Sequence, residues 1–471
     1  MVQKQEMNLP KMSELSGIAK KTKWLCRIHL PRILPMDPSQ AAPVMKPSRK
    51  ELRNLVLAIG LGGIVEYYDA FIASFAASMV WPAVFFPNVG PALSLAYSIA
   101  SFGAFYLTRP LGAIVFGHYG DKLGRRTTMV WVITAMCIGL VGVGLTPGYA
   151  SIGAASILLL VVFRLLFGMG LGGEFGGGSA WITEYAAESK RRSFWNVWVT
   201  PAPIALALAA LSFAAISTAT GPSFLTYGWR IPFLLGGVLA IAGLATRYRL
   251  QESPMFRALR ESKSVERAPM SQALKEKWKP ILLLSLAWTF GGLPSILQVP
   301  FSLSYIESLG VSSQFAPVTI VAAAVVGIPL LIGGALLGDR IGRKRTILIS
   351  AALSVVSVAV YFPLVNTVNT GLIVLAQVLV FGSVMVGVSV VPAWFAEQFQ
   401  TRIRQSGAGL SYQLGALFSG IITVAVLPSL IVAGGGTGAA AGNVEILSLV
   451  VCAVSIVAIL VMTETKGKPV V

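Results

Sequence analysis

The sequence predicts an all-α integral membrane protein of about twelve transmembrane helices arranged as two six-helix bundles. Three observations predict it. The chain of 471 residues is 55% hydrophobic and only 12% charged, with a mean hydropathy of +0.75, whereas about a quarter of the residues of a soluble domain are charged. Apolar runs of about 20 residues, enough to cross a hydrocarbon core, recur from Leu55 to Met462. Motifs that follow the second, fourth and sixth runs return after the eighth, tenth and twelfth.

The elements follow in chain order. Residues 1–50 are basic, carry six prolines and lack an apolar stretch long enough for a signal core, which predicts a disordered tail. MKPSRKELRN also leaves Met36 or Met45 open as alternative starts. The predicted spans are 54–79, 94–117, 127–146, 151–178, 196–218, 230–246, 280–306, 316–337, 346–365, 371–394, 406–430 and 444–462. They divide the chain into a first bundle at 51–246, a linker at 247–279, a second bundle at 280–462 and a tail at 463–471. The 48 glycines and 26 prolines mark bends and close helix contacts, which membrane helices tolerate.

The net charge of +18 suggests nucleic acid until its distribution is followed. Every Lys and Arg except Arg109, Arg164 and Arg230 lies in the two tails or in the alternate loops that include 118–126, 188–193, 247–279, 339–345 and 400–405. The positive-inside bias then predicts cytoplasmic termini in a cell (plasma or inner) membrane, with no nucleic-acid partner. Cys26, Cys137 and Cys452 are far apart, so neither a disulfide framework nor a metal site is expected.

The repeats are specific. FGHYGDKLGRR at 116–126 is matched by LGDRIGRKR at 337–345, AESKRR at 187–192 by AEQFQTRIR at 396–404, and QESP at 251–254 by TETKGKP at 463–469. Three ordered pairs argue for a duplicated unit, and parallel repeats of this kind put a binding site near the midplane between the halves. GGIVEYYDAF (62–71), RLLFGMGLGGEFGGG (164–178), GWRIPFLLG (228–236) and SGAGLSYQLGA (406–416) resemble the first, fourth, sixth and eleventh spans of the metabolite:proton symporter family. The resemblance to the major facilitator superfamily covers nearly all of 50–467. It implies the major facilitator fold, alternating access by rocking of two bundles, and proton-driven uptake of a small organic acid or zwitterion.

Ionisable residues inside a bilayer are costly and become functional candidates by default. Glu66 and Asp69 share one face of the first span at about 18 and 22 Å depth, and Arg164 enters the fourth span to about 20 Å from the other side. These three are the candidate proton-coupling set. Asp69 is the expected carrier, since its place resembles the first-span aspartate of proton-driven sugar porters that pairs with a fourth-span arginine. A structural ion pair is the competing reading of Asp69 and Arg164. Arg109 is expected to face a cavity or pair with Glu66 or Glu174. Candidate substrate contacts are Arg109, Arg164, Gln298, Tyr412, Gln413 and Trp198. Gln298 lies in GGLPSILQVPF (291–301), whose glycines and prolines suit a gating helix. Glu174 is a candidate gate, Arg230 a structural interface residue, and Trp394 a packing residue.

A second set lies on the basic side. Asp121, Arg125, Arg126, Glu188, Arg192 and Glu252 from the first half, with Asp339, Arg343, Glu397, Arg402 and Glu464 from the second, are expected to form a latch. Exposed ion pairs are individually weak, so the latch depends on a network that forms in one state. Other classes fit poorly. The only histidines are His29 and His118, and no GxxxxGK[ST] motif is present, which argues against an enzyme or an ATP-driven pump. The expected driving force is a proton gradient without a cofactor, and the expected partners are a small-molecule substrate, protons and the bilayer. One chain is expected to suffice. A proton-independent facilitator or exporter on the same fold is the alternative.

Overall fold

The computed structural model describes residues 48–262, 268–293, 297, 301–311 and 316–468. Among them every regular element is helical. Twelve membrane-crossing helices follow one another: α1 Arg49–Met79, α2 Pro91–Leu123, α3 Arg125–Leu145, α4 Ala154–Tyr185, α5 Arg192–Phe224, α6 Arg230–Tyr248, α7 Pro269–Trp288, α8 Ala316–Ile341, α9 Arg343–Val365, α10 Thr370–Glu397, α11 Thr401–Gly434 and α12 Thr437–Val461. Eleven are long and apolar enough to cross a bilayer by themselves. In the seventh, the α-helix gives way after Trp288 to a 3₁₀ turn, Thr289–Gly292, and Ser302–Ser308 is again α-helical. Pro294, Gln298 and Pro300 fall outside the described residues.

The distribution of side chains is that of a membrane protein. Leu57, Val238, Ile241, Ile446 and Val457 are each at least 60% exposed, whereas Arg125, Arg164, Arg247 and Arg404 are among the largest fully buried side chains. Water would reverse that arrangement; lipid does not.

Helix limits have local causes. Ser48 and Glu51 form a capping box at the start of α1. The 118–126 segment, read from sequence as a loop, is helical up to Leu123, so the joint between α2 and α3 is Gly124 alone, at φ 118°. The matching joint between α8 and α9 is Gly342, at φ 111°. A side chain at either glycine is strained and would collide with a carboxylate, Glu252 at the first and Glu464 at the second. The 247–279 segment is likewise more ordered than a linker: α6 runs to Tyr248, Pro254–Glu261 is a short helix, and α7 begins at Pro269 with a kink at Lys277.

Helices α1 to α6 pack chiefly through α2–α4, α3–α4, α3–α6, α1–α5 and α1–α6; the matching contacts in the second half are α8–α10, α9–α10, α9–α12, α7–α11 and α7–α12. Helices α2 and α4 meet α11 across the centre, and α5 meets α8. The α2–α4 crossing depends on glycine: a Cβ at Gly168 would collide with the Phe105 carbonyl, one at Gly172 with that of Arg109, and one at Gly112 with that of Met169. Gly168→Val is therefore expected to cost about 1–3 kcal/mol or more through overpacking, read as a lowered Tm of the purified protein.

Candidate functional site

Between the halves lies a cavity with about 690 Å³ of space not filled by protein atoms, part of it open to solvent. Its polar groups come from α1 and α2, through Glu66, Tyr67, Tyr106 and Arg109. The second half supplies Trp288, Tyr412, Ser419 and the backbone at Gly291 and Gly292. Phe71 on α1 and Phe381 on α10 approach edge to face at 6.5 Å across the cavity.

Arg109 organises this cavity. Its Nη2 lies 3.5 Å from Glu66 Oε1, while its Nε donates to Gln413 Oε1 at 2.6 Å. Its guanidinium lies over the rings of Tyr106, Phe105 and Tyr412 at 5.5 to 5.7 Å. Tyr412 is held by parallel stacking on Phe175 at 3.7 Å and shares a 2.8 Å hydroxyl contact with Tyr67 across the two halves. Arg109 thus meets Glu66, one of the two acids its sequence position allowed; Glu174 is engaged elsewhere. Gln413 does not line the cavity. Its amide donates to the carbonyls of Leu171 and Gly172, so it ties α11 to α4 and holds Arg109 in place.

One turn further along α1, Asp69 Oδ2 accepts from Arg164 Nη1 at 2.6 Å, with both side chains fully buried. The rings of Phe102, Phe105 and Phe167 surround the guanidinium at 4.8 to 5.8 Å. Neither partner lines the central cavity, where Arg164 is expected from the sequence to meet substrate. Asp69 Oδ1 and Arg164 Nε and Nη2 have no hydrogen-bond partner among the described residues. A buried pair this incompletely satisfied is poor at stabilising a fold, because desolvation outweighs a single contact.

Other expectations are placed as follows. Trp198 lies on a groove between α1 and α5 instead of the central cavity, because α5 breaks into a 3₁₀ turn at Val197–Val199 and turns the ring outward. Glu174 pairs with Arg247, whose Nη1 also donates to the Met129 carbonyl. Arg247, assigned by sequence to the linker, is instead fully buried in the last turn of α6. Arg230 donates to the carbonyls of Thr226 and Thr146 and stacks on Trp229, and Trp394 donates to the Thr463 carbonyl; both are structural contacts.

On the face that carries the basic loops, two matching clusters join the halves. In the first, Arg125 contacts Asp121 at 2.6 Å and Glu184 at 3.1 Å; Glu184 also meets Arg404 at 3.2 Å, and Asp121 accepts from the backbone and hydroxyl of Ser406. In the second, Arg343 contacts Asp339 at 3.3 Å and Glu397 at 3.2 Å, Glu397 meets Arg192 at 3.3 Å, and Asp339 accepts from the backbone of Ser193 and Phe194.

The carboxylate of Glu252 caps the start of α3 through Arg125 and Arg126, and that of Glu464 caps α9 through Arg343 and Lys344. Burial works against ionisation of Glu464, yet the N–H groups of Lys466, Arg343, Thr465 and Lys344 hold its carboxyl below the ordinary value. This cap strengthens folding above the usual carboxylate range and weakens as pH falls through the lowered value.

Two sequence assignments shift. Glu188 is exposed beyond α4, and Glu184, one turn earlier, holds the buried position. Arg402 forms an exposed pair with Glu276 at 3.4 Å, and Arg404 takes the buried place. The signal for Glu184 was present: AWITE at 180–184 repeats as AWFAE at 393–397, which pairs Glu184 with Glu397. Among the described residues no group of His, Cys, Asp and Glu is arranged to hold a metal ion.

Residues 70–423 match the Major Facilitator Superfamily. The chain belongs to that superfamily. It is 33% identical over 438 residues to the inner membrane metabolite transport protein YhjE of Escherichia coli K12, covering 88% of this chain and 95% of that one. It is 28% identical to the shikimate transporter of the same organism over 89% of this chain and 96% of that one, and 31% identical to its proline/betaine transporter over 79% and 76%. The fold is also that of the proton:xylose symporter XylE, with a TM-score of 0.65 at 16% identity over 89% of this chain and 98% of that one. A double-tryptophan XylE mutant gives 0.68 at 18% identity, over 89% and 98%. The protein is therefore a multi-pass membrane transporter of metabolites and not an enzyme.

Proposed function

We propose that this transporter couples uptake of a small carboxylate-bearing metabolite, anionic or zwitterionic, to protons entering the cell, with both termini on the cytoplasmic side of the inner membrane. The observation that carries the proposal is the cavity between the halves in which Arg109 faces Glu66 at 3.5 Å, one helical turn from the buried pair Asp69–Arg164. An incoming carboxylate competes with Glu66 for the Arg109 guanidinium. A carboxyl group that loses its cation in a low-dielectric site takes up a proton. Substrate binding and proton binding thereby favour one another. Asp69, shielded from the cavity, holds the second proton-responsive position, and Arg164 is its counter-ion. The clusters at Asp121 and Asp339 close the cytoplasmic side in this state, and breaking them opens the cavity to the cell interior.

The aromatic walls formed by Tyr67, Tyr106, Trp288 and Tyr412 suit a ring or a methylated ammonium beside the carboxylate. Purified protein in liposomes, offered labelled citrate, 2-oxoglutarate, shikimate, benzoate, proline and betaine with and without an inward proton gradient, tests the proposal. One class is expected to accumulate above equilibrium only with the gradient. For that substrate, Arg109→Gln is expected to raise KM roughly 10- to 100-fold, the equivalent of one hydrogen-bonded charge. An unchanged KM removes Arg109 from the site.

A further inference from the structure

A second groove opens on the outside of the first half, between α1 and α5, with about 1,350 Å³ of unoccupied space. Its chemistry is divided along its length. Lys50 and Arg53 stand at the basic end, three residues apart on one face of α1, and both are exposed. The same face continues as Leu57, Leu61 and Ile64, opposite Trp195, Trp198 and Ile204 from the α5 side. From Lys50 to Ile64 the helix rises about 21 Å, the depth of a headgroup layer plus one leaflet of a hydrocarbon core about 30 Å thick.

We propose that this groove is a binding site for one anionic glycerophospholipid of the leaflet on the basic face. The phosphate sits between Lys50 and Arg53, and an acyl chain lies along Leu57, Leu61 and Ile64. Charge complementarity selects the occupant. Among the described residues neither cation is paired with a carboxylate, and Glu51 between them is turned to the Ser48 backbone N–H, which it accepts at 2.7 Å. Gly60 lets α1 and α5 approach at the groove floor, an added Cβ standing 3.6 Å from the Trp198 carbonyl. The α5 break at Val197–Val199 brings Trp195 and Trp198 to the lipid side, where an indole suits the interface. The site rests on the membrane reading alone and is independent of the transported substrate.

The test uses the full chain in phosphatidylcholine vesicles containing a small fraction of brominated phosphatidylglycerol or, at the same fraction, brominated phosphatidylcholine. The signal is the part of the tryptophan emission lost in a Trp195→Phe, Trp198→Phe protein. Brominated phosphatidylglycerol is expected to quench that part at a much lower fraction than brominated phosphatidylcholine. The preference should fall roughly fivefold for each cation removed, so that it disappears in Lys50→Gln, Arg53→Gln. Both substitutions are at exposed positions, and an unchanged Tm is the control for folding. Equal quenching by the two lipids in the parent protein overturns the proposal, since the groove then holds ordinary acyl chains. Absence of quenching by either overturns it as well, since the groove is then closed to lipid. A preference that survives loss of both cations also contradicts it.

Discussion

Glu184→Gln is expected to lower the stability of the purified protein by about 3–5 kcal/mol, the cost of removing one partner from a buried ion cluster. Glu184 sits 3.1 Å from Arg125 and 3.2 Å from Arg404, and all three side chains are fully buried. Glutamine keeps the shape and one hydrogen-bond acceptor but removes the carboxylate charge that faces both guanidiniums. The cluster joins α3 and α4 of the first half to the start of α11, so the loss falls on the state closed on that face. A fall in Tm together with faster labelling of Ser406→Cys by a membrane-impermeant thiol reagent from the basic side would show both effects, in a background with Cys26, Cys137 and Cys452 replaced. Unchanged Tm and labelling would mean that the arginines are satisfied without Glu184.

Asp69→Asn is expected to abolish accumulation driven by an inward proton gradient while preserving exchange of labelled for unlabelled substrate at equal concentration. Exchange needs only that the loaded carrier reorient, and the near-isosteric asparagine leaves a neutral partner for Arg164. Net uptake needs the proton to be released inside, which asparagine cannot do. The expected change is from concentrative uptake to none above equilibrium. Loss of both activities would point instead to a structural role, because Arg164 would then have been left as an uncompensated buried charge. Full retention of accumulation would remove Asp69 from the coupling and leave Glu66 as its one proton site.

How far the site was legible follows from what each signal depends on. The approach of Asp69 to Arg164 was readable because depth along a helix is a count of residues, and two helices entering from opposite faces meet at a calculable level. The two ion clusters were readable from the duplicated Asp121 and Asp339 motifs. The rest was hidden for physical reasons. Hydropathy marks the bilayer-crossing part of a helix and not its end, so Arg247 was assigned to a linker, whereas α6 carries it inside to meet Glu174. Glu188 lay closer to the basic run than Glu184, and only the AW repeat shows which acid corresponds to Glu397. The aromatic lining of Tyr106 and Trp288 could not be told from packing, because a helix with lipid on one side and protein on the other is apolar all round and gives no face by periodicity. Trp198 was misplaced for the same reason, and only the break in α5 shows that it faces outward.

The central claim is that substrate and proton move together, and internal pH tests it most directly. Liposomes containing the protein and a trapped pH indicator, with no imposed gradient and the membrane potential clamped at zero by valinomycin in equal potassium, receive substrate outside. The account predicts internal acidification that begins with substrate addition, scales with uptake and is absent in Asp69→Asn. Uptake of the same substrate with no change in internal pH would contradict it and leave a facilitator built on the same fold.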